Sequence, residues 1–497
     1  MNGPLEETLD PASWDEFRAH SHRVMDEMLD WLSTLRDRPA WQAMPQRVRD
    51  ALTVPMPVQG VGLEPAWEEF RRTVLPYPWG NVHPRFWGWV VGTGSPSGAL
   101  AELATAVLNV NAGGGHHAAP YVEEQVLQWC KEMLGFPAEA SGILVTGGSV
   151  ANLVALAAAR DAAEPAIAAG GLARAGVDLV LYASTQTHNS VHKAVKILGI
   201  GLDGLHAVPV DAEYRLDVAA LERAIAEDRA RGRRPFCVVG NAGTVNTGAI
   251  DDLEAIGALC RQEGLWFHVD GAFGALVALS ERLRPLVRGM DRADSIAFDL
   301  HKWMYMPYDV GCVLVRDAEA HRRPFATTEA SYLARLERGA APLDRDPGTL
   351  GPELSSEFRA LKVWLLLQEH GTAKYARLIE QNVDQAGYLG DRVAAHPELE
   401  LMAGVPLNIV CLRYVGETAP TAGQERPARA GDAALDAANR EILMRIQERG
   451  IAVPSGTVLR GKFALRVAIT NHRSKREDFD LLVEKVVEIG REVMAGR

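Results

Sequence analysis

Residues Asp294–Tyr305 read Asp-Ser-Ile-Ala-Phe-Asp-Leu-His-Lys-Trp-Met-Tyr. They set Lys302 beside His301 and among large aromatics, directly after an apolar run with the pattern of a short buried strand. Burial disfavours the charged form of an amine and is expected to lower its pKa. An amine made partly neutral in this way can form a Schiff base with an aldehyde. A second apolar run, ending in His268-Val-Asp270, carries a carboxylate 32 positions before Lys302, roughly one helix plus one strand away. That separation brings both strand ends to one edge of a parallel sheet. A carboxylate at such an edge can keep a pyridine nitrogen protonated and make the ring an electron sink. It can equally cap a helix that begins at Gly271 and Ala272.

Three further segments place chemistry after strand-like runs. Thr146-Gly-Gly-Ser-Val-Ala-Asn152 leads into an Ala/Leu helix. Its glycines allow close backbone approach, the free N–H groups of the helix start suit a phosphate dianion, and Ser149 adds a hydroxyl; the same residues also make a plain helix cap. The Gly-x-x-x-x-Gly-Lys-Ser/Thr pattern of a nucleotide loop is absent from the sequence. Ser184-Thr-Gln-Thr-His188 offers an imidazole that can lie flat on a pyridine ring and handle a proton near neutral pH. Asn241-Ala-Gly-Thr244 offers a hydroxyl, or only a glycine turn. Phosphate cradle, imidazole, carboxylate and lysine, each at a strand end, make pyridoxal phosphate the candidate aldehyde for Lys302.

The elements that must position these groups follow an alternating pattern. Short runs at 142–146, 179–182, 236–240, 266–270, 295–298 and 310–315 are separated by helical stretches such as 149–160 and 218–231. This predicts an α/β fold with a mainly parallel sheet flanked by helices. Ligands on such sheets lie at the carboxyl ends of the strands. Residues 1–84 read as a proline-broken helical arm suited to dimerisation, 85–353 as the large α/β domain, and 354–497 as a small C-terminal α+β domain. Within the last, a helical run is expected from Leu354 to His370 and a strand from Leu407 to Tyr414. The stretch 325–353 is rich in Gly, Pro and Arg, and its length suggests a functional lid or a disordered segment.

Composition sets the outer bounds. The chain has 497 residues, 47% hydrophobic and 23% charged, with a formal net charge of −12. The acidic balance and scattered arginines argue against nucleic acid as a partner. No run approaches the length of a membrane span, so no membrane is expected. The five cysteines are scattered and odd in number, reading as buried hydrophobes in a reducing compartment, with no metal site expected. The acidic N-terminus lacks a secretory pattern, and the cytoplasm is the expected location.

Together these motifs resemble the group II pyridoxal-phosphate decarboxylases, the family of aromatic-L-amino-acid, tyrosine, histidine and glutamate decarboxylases. The matching segments run from His83-Pro-Arg-Phe86 through the motifs above to Phe358-Arg-Ala-Leu-Lys-Val-Trp364 and Leu465-Arg-Val-Ala-Ile-Thr-Asn-His-Arg473. The resemblance implies a fold type I enzyme that is a homodimer and releases carbon dioxide from an L-amino acid, with an aromatic one favoured. It implies that Lys302 carries the cofactor, Asp270 partners the ring nitrogen, and His188 stacks on one face with Ala272 against the other. Gly148, Ser149, Thr244, Asp299 and His301 would hold the phosphate and ring substituents. Tyr332, on the 325–353 connection, would return a proton; a loop tyrosine packed on the surface is the plainer alternative. Glutamate, diaminobutyrate or cysteine sulfinate as substrate, or aldehyde-forming oxidative decarboxylation, remain open. A charged substrate would need a partner, for which Arg85 and Arg473 are the candidates.

Overall fold

The computed structural model describes residues 7–326, 339, 347–416 and 431–496. Seven strands form the larger sheet: β1 (Ser141–Val145), β2 (Leu179–Ser184), β3 (Leu205–Val208), β4 (Arg234–Asn241), β5 (Trp266–Asp270), β6 (Ser295–Asp299) and β7 (Gly311–Val315). Their order is β1-β7-β6-β5-β4-β2-β3, with β2 to β6 parallel and β7 antiparallel to both neighbours. Strand alternation sorts the side chains to two faces. Leu179, Leu181, Cys237 and Val239 pack with Leu156, Val191 and Val195, from the helices Gly148–Ala163 and Asn189–Ile197. Val180, Tyr182 and Val238 join the other face with Leu221, Ile225 and Ile256, from the helices Val218–Ala230 and Leu253–Glu263. Cover on both faces explains why the central strands read as continuous apolar runs. The edge strand β3 is short and only half-buried, so it escaped the sequence pattern.

Two pairings build the functional edge. Asn241, Asp270 and Ala297 lie side by side on β4, β5 and β6. Gly311 opens β7 opposite both Val145, the last residue of β1, and Asp299, the last of β6. A Cβ at Gly311 would lie 2.5 Å from the Gly147 Cα and 2.7 Å from the Asp299 Oδ1. Glycine is therefore required there for the ends of β1 and β6 to close on each other.

A second, antiparallel sheet has the order β10-β11-β9-β8, formed by β8 (Leu399–Leu401), β9 (Ile409–Tyr414), β10 (Ser455–Leu459) and β11 (Lys462–Ala468). The helices Asp432–Glu448 and Arg476–Ala495 contribute Ile442, Ile446, Phe479 and Val486 to its core. A two-residue turn joins β10 to β11, with Arg460 and Gly461 both at positive φ, the conformation that matches hairpin twist. The helix Arg359–Ala394 is interrupted at Gly371, where φ is 65°.

The helix expected from Leu354 starts five residues later, at Arg359. The Ser356 peptide is engaged elsewhere: its N–H donates to Asn111 Oδ1 at 2.9 Å and its C=O accepts from the Ala112 N–H at 2.9 Å. In a helix beginning at Leu354 that C=O would instead accept from the Ala360 N–H.

Asn439 holds β9 by both peptide groups of Tyr414. Its Oδ1 accepts from the N–H at 2.7 Å, and its Nδ2 donates to the C=O at 2.8 Å. Asn439→Leu removes both of these buried hydrogen bonds and is expected to lower stability by about 2–4 kcal/mol. The shift of the urea midpoint measures this, and a variant as stable as the parent would contradict it.

Candidate active site

Lys302 lies in a single helical turn, Leu300–Trp303, that follows β6 directly. Its side chain is 19% exposed, and its Nζ lies 2.7 Å from the Asp299 Oδ2 on a carboxylate only 1% exposed. Burial acts to lower the lysine pKa, but the charge and hydrogen bond of Asp299, helped by the charge of Asp270, outweigh it. The ammonium is held above its ordinary range. This reverses the expectation of a lowered value, because the sequence showed the burial but not that Asp299 turns back onto the amine.

The turn is fastened from below. Trp303 Nε1 and Tyr305 Oη both donate to Asn382 Oδ1, at 3.0 and 2.9 Å, and Asn382 Nδ2 donates to the Asn471 C=O just after β11. His301 is buried, and its Nδ1 accepts from the Val310 N–H at 3.2 Å. Its ring lies 4.3 Å from that of Tyr308, and burial lowers its pKa.

Asp270 ends β5 and is 5% exposed. Its Oδ1 accepts from the Ala272 N–H at 3.2 Å and its Oδ2 from Asn152 Nδ2 at 2.9 Å. Gly148 starts the helix Gly148–Ala163; a Cβ there would lie 2.9 Å from the Asp299 Oδ2 and 3.6 Å from the Ala272 Cβ. The helix start thus abuts the lysine's carboxylate and the residue two beyond Asp270. Ser149 is exposed in the first turn.

His188 caps the helix Asn189–Ile197, its Nδ1 accepting from the Ser190 N–H at 3.2 Å. The residue stays exposed. Crowding by the surrounding protein lowers its pKa; Asp270 opposes that shift and Lys302 reinforces it. Thr244 is buried, and its hydroxyl meets that of Thr247 at 3.2 Å. Tyr332 lies outside the described residues.

The structure therefore brings together Lys302, Asp299, His301, Asp270, Ala272 and Gly148, with His188 within electrostatic reach. Sequence reasoning missed Asn152, Ser190, Gly311 and Asn382. Asn152 left one signal: an amide inside an Ala/Leu helix, where asparagine is a poor helix former unless something fixes it.

Pyridoxal phosphate fits this residue set. An amine reaches the strand edge, a carboxylate stands on the neighbouring strand, and side-chain-free backbone opens a 16-residue helix beside both. No group of three or more His, Cys, Asp or Glu among the described residues could hold a metal ion, and no helix among them is long and apolar enough to cross a membrane.

Residues 45–415 match the model of the pyridoxal-dependent decarboxylase conserved domain. The chain is 33% identical to an aromatic-L-amino-acid decarboxylase of Bacillus atrophaeus over 488 residues, covering 97% of each protein. This chain belongs to the pyridoxal-dependent decarboxylase family. Among solved structures, the Oryza sativa TDC with PLP and tryptamine superposes with a TM-score of 0.88 at 26% identity, covering 98% of this chain and all of that one. The 4-hydroxyphenylacetaldehyde synthase of Rhodiola rosea gives 0.84 at 25% identity, covering 97% of this chain and 99% of that one. The expected fold, family and cofactor are borne out.

Burial gives the cofactor-free chain an acid-sensitive stability. His83, His268 and His472 are each pushed down to about 4, from an ordinary 6.5. A histidine whose folded pKa is depressed takes up its proton on unfolding. Its contribution is therefore full above pH 6.5 and falls as pH drops toward about 4. Urea midpoints are expected to decline steadily from about pH 6.5 to 5, by up to about 1.4 kcal/mol per pH unit for each proton taken up. A flat profile over that range would contradict the assignment.

Proposed function

We propose that this chain converts an aromatic L-amino acid to the corresponding amine and carbon dioxide, with pyridoxal phosphate bound through Lys302. The observation that carries the reading is the edge where Lys302, Asp299 and Asp270 meet the start of the helix Gly148–Ala163. Bound there, the cofactor supplies the electron sink for the pair left when carbon dioxide departs.

The chain's own residues then have distinct tasks. Gly148 and Ser149 present free N–H groups and a hydroxyl to the phosphate. Asp270, fixed by Asn152 and the Ala272 N–H, holds a proton on the ring nitrogen. His188 and Ala272 would be the residues that hold the ring when the cofactor is bound. Asp299 orients the lysine amine, while His301 and Thr244 complete the surround. Tyr332, or His188 in its place, returns a proton to the carbon that has lost its carboxylate.

Two observations support an aromatic side chain over an acidic one. Tyr308 stands 48% exposed beside His301 and adds an open aromatic ring to the edge. The two arginines that could meet an acidic side chain are engaged: Arg85 Nε donates to the Ile451 C=O at 2.7 Å, and Arg473 Nη1 donates to the Thr93 C=O at 3.0 Å.

Carbon dioxide release across Tyr, Trp, Phe, dopa, His, Glu and diaminobutyrate, with amine and aldehyde both quantified, tests the reading. Turnover of at least one aromatic member with amine as product is expected; turnover of glutamate or diaminobutyrate alone would overturn the substrate assignment. Lys302→Ala is expected to lose both activity and the visible absorption band of a lysine-bound cofactor. Retention of that band would remove Lys302 from its role.

The working form is proposed to be a homodimer in the cytoplasm. On the helix Pro96–Leu108, Leu100, Leu103, Val107 and Leu108 are each at least half exposed and recur with helical spacing. A stripe of that kind is suited to a partner subunit. Light scattering at micromolar concentration is expected to give twice the chain mass, and Leu103→Glu with Val107→Glu to give the monomer; a monomeric parent would refute the proposal.

A further inference from the structure

A continuous hydrogen-bonded chain runs beneath the edge, through groups outside the proposed cofactor contacts. Trp266 Nε1 donates to Ser295 Oγ at 2.8 Å, and Ser295 Oγ lies 2.9 Å from His268 Nδ1. His268 Nε2 lies 2.8 Å from Asn152 Oδ1. Asn152 Nδ2 lies 2.9 Å from both Asp270 Oδ2 and Ser190 Oγ, and Ser190 Oγ is 2.9 Å from His188 Nδ1. Asn152, His268, Ser295 and Ser190 are each 2% exposed or less.

The chemistry of the end groups fixes every hydrogen along this chain. A carboxylate only accepts, so the Asn152 amide must turn its NH2 toward Asp270 and its oxygen toward His268. The opposite orientation would set an amide oxygen against a carboxylate oxygen. His268 must then carry its proton on Nε2, and its Nδ1 accepts from the Ser295 hydroxyl. On the other branch, the second amide hydrogen occupies Ser190 Oγ as acceptor. The Ser190 hydroxyl hydrogen is thereby free to go to His188 Nδ1, which also accepts the Ser190 backbone N–H at 3.2 Å. Two donors on Nδ1 leave Nε2 as the protonated nitrogen of the neutral ring.

We propose that Asn152 is a positioning residue that fixes the His188 proton on Nε2, acting through Ser190, while the same amide group holds Asp270 in its accepting role. One amide thus sets the donor identity of the imidazole and the orientation of the carboxylate together. The consequence for the reaction rests on the reading of His188 as the residue against the cofactor; the assignment of the proton does not.

The test therefore begins with the cofactor-free chain. With ¹⁵N-histidine labelling, His188→Gln identifies the His188 signals. The parent is expected to show a pyridine-like Nδ1 and a protonated Nε2. Asn152→Leu, close to Asn in size, is expected to shift His188 toward a mixture of the two tautomers. Ser190→Ala keeps Asn152 and Asp270 paired and leaves Nδ1 only the longer of its two donors, the backbone N–H at 3.2 Å; it is expected to shift the tautomer in the same direction, which keeps the test decisive should Asn152→Leu fail to fold. In the loaded enzyme, Ser190→Ala is expected to lower kcat about 10–100-fold, with KM changed less than about threefold, as for loss of an outer-shell orienting contact. The Asn152→Leu/Ser190→Ala double variant should show no further tautomer shift beyond the single variants. An unchanged His188 tautomer in Ser190→Ala, or shifts that add in the double variant, would overturn the proposal. A shifted tautomer with unchanged kcat would support the relay and remove His188 from the reaction.

Discussion

A lysine ammonium set against a carboxylate at the end of a buried strand is the interaction around which the rest of the structure is arranged. Taking either charge out of water alone is strongly unfavourable, and their attraction offsets that only at close range with good geometry. Lys302 and Asp299 meet at 2.7 Å, three residues apart across the junction from strand to helical turn. Several otherwise unrelated features serve this contact. Gly311 is bare because a Cβ would strike the Asp299 carboxylate, and Gly148 is bare for the same reason from the opposite strand end. Asn382 reaches across from the long helix to hold Trp303 and Tyr305 below the lysine.

A second carboxylate stands close by, and the two are handled differently. Asp299 is met by a cation. Asp270 is met by neutral donors, the Asn152 amide and the Ala272 N–H. A charge stabilised only by neutral hydrogen bonds retains its attraction for a proton on an adjacent group, whereas a charge spent on an ammonium does not. The two acids are therefore suited to different tasks: Asp299 to the amine and, in the proposed reading, Asp270 to a ring nitrogen. The relay through His268 and Ser295 keeps the Asn152 amide from turning its oxygen toward Asp270. It does so with a neutral imidazole, whose burial keeps it uncharged at neutral pH.

Much of this was legible in the sequence because buried parallel strands leave dense apolar runs, and the residue that ends each run falls at the ligand edge by topology. Asp270, Lys302, His188 and the Gly147–Gly148 pair were found that way. The order of the strands was not legible, since β7 enters antiparallel between β1 and β6 through a contact that only Gly311 permits. The edge strand β3 and the short strand β8 carry too few residues to show a period. The raised pKa of Lys302 was missed because its cause is a side-chain direction, which spacing along a chain does not encode. Residues 354–358 share the apolar and polar alternation of the following helix, yet their backbone pairs with the 111–113 loop. Local pattern lost there to a long-range hydrogen bond.

The distribution of exposure separates the reaction from its specificity. Asp270, Asp299, His268 and Asn152 are almost wholly buried on strands and a long helix, where packing fixes rotamers and tolerates little change. Tyr308, the open aromatic ring beside His301, is 48% exposed and lies outside the strands and helices. A side chain held by few neighbours can be replaced with little effect on the buried charges behind it. The arrangement thus lets one set of proton and charge partners serve different amino-acid side chains, provided the changes stay on the exposed segments and leave the Lys302–Asp299–Asp270 edge untouched.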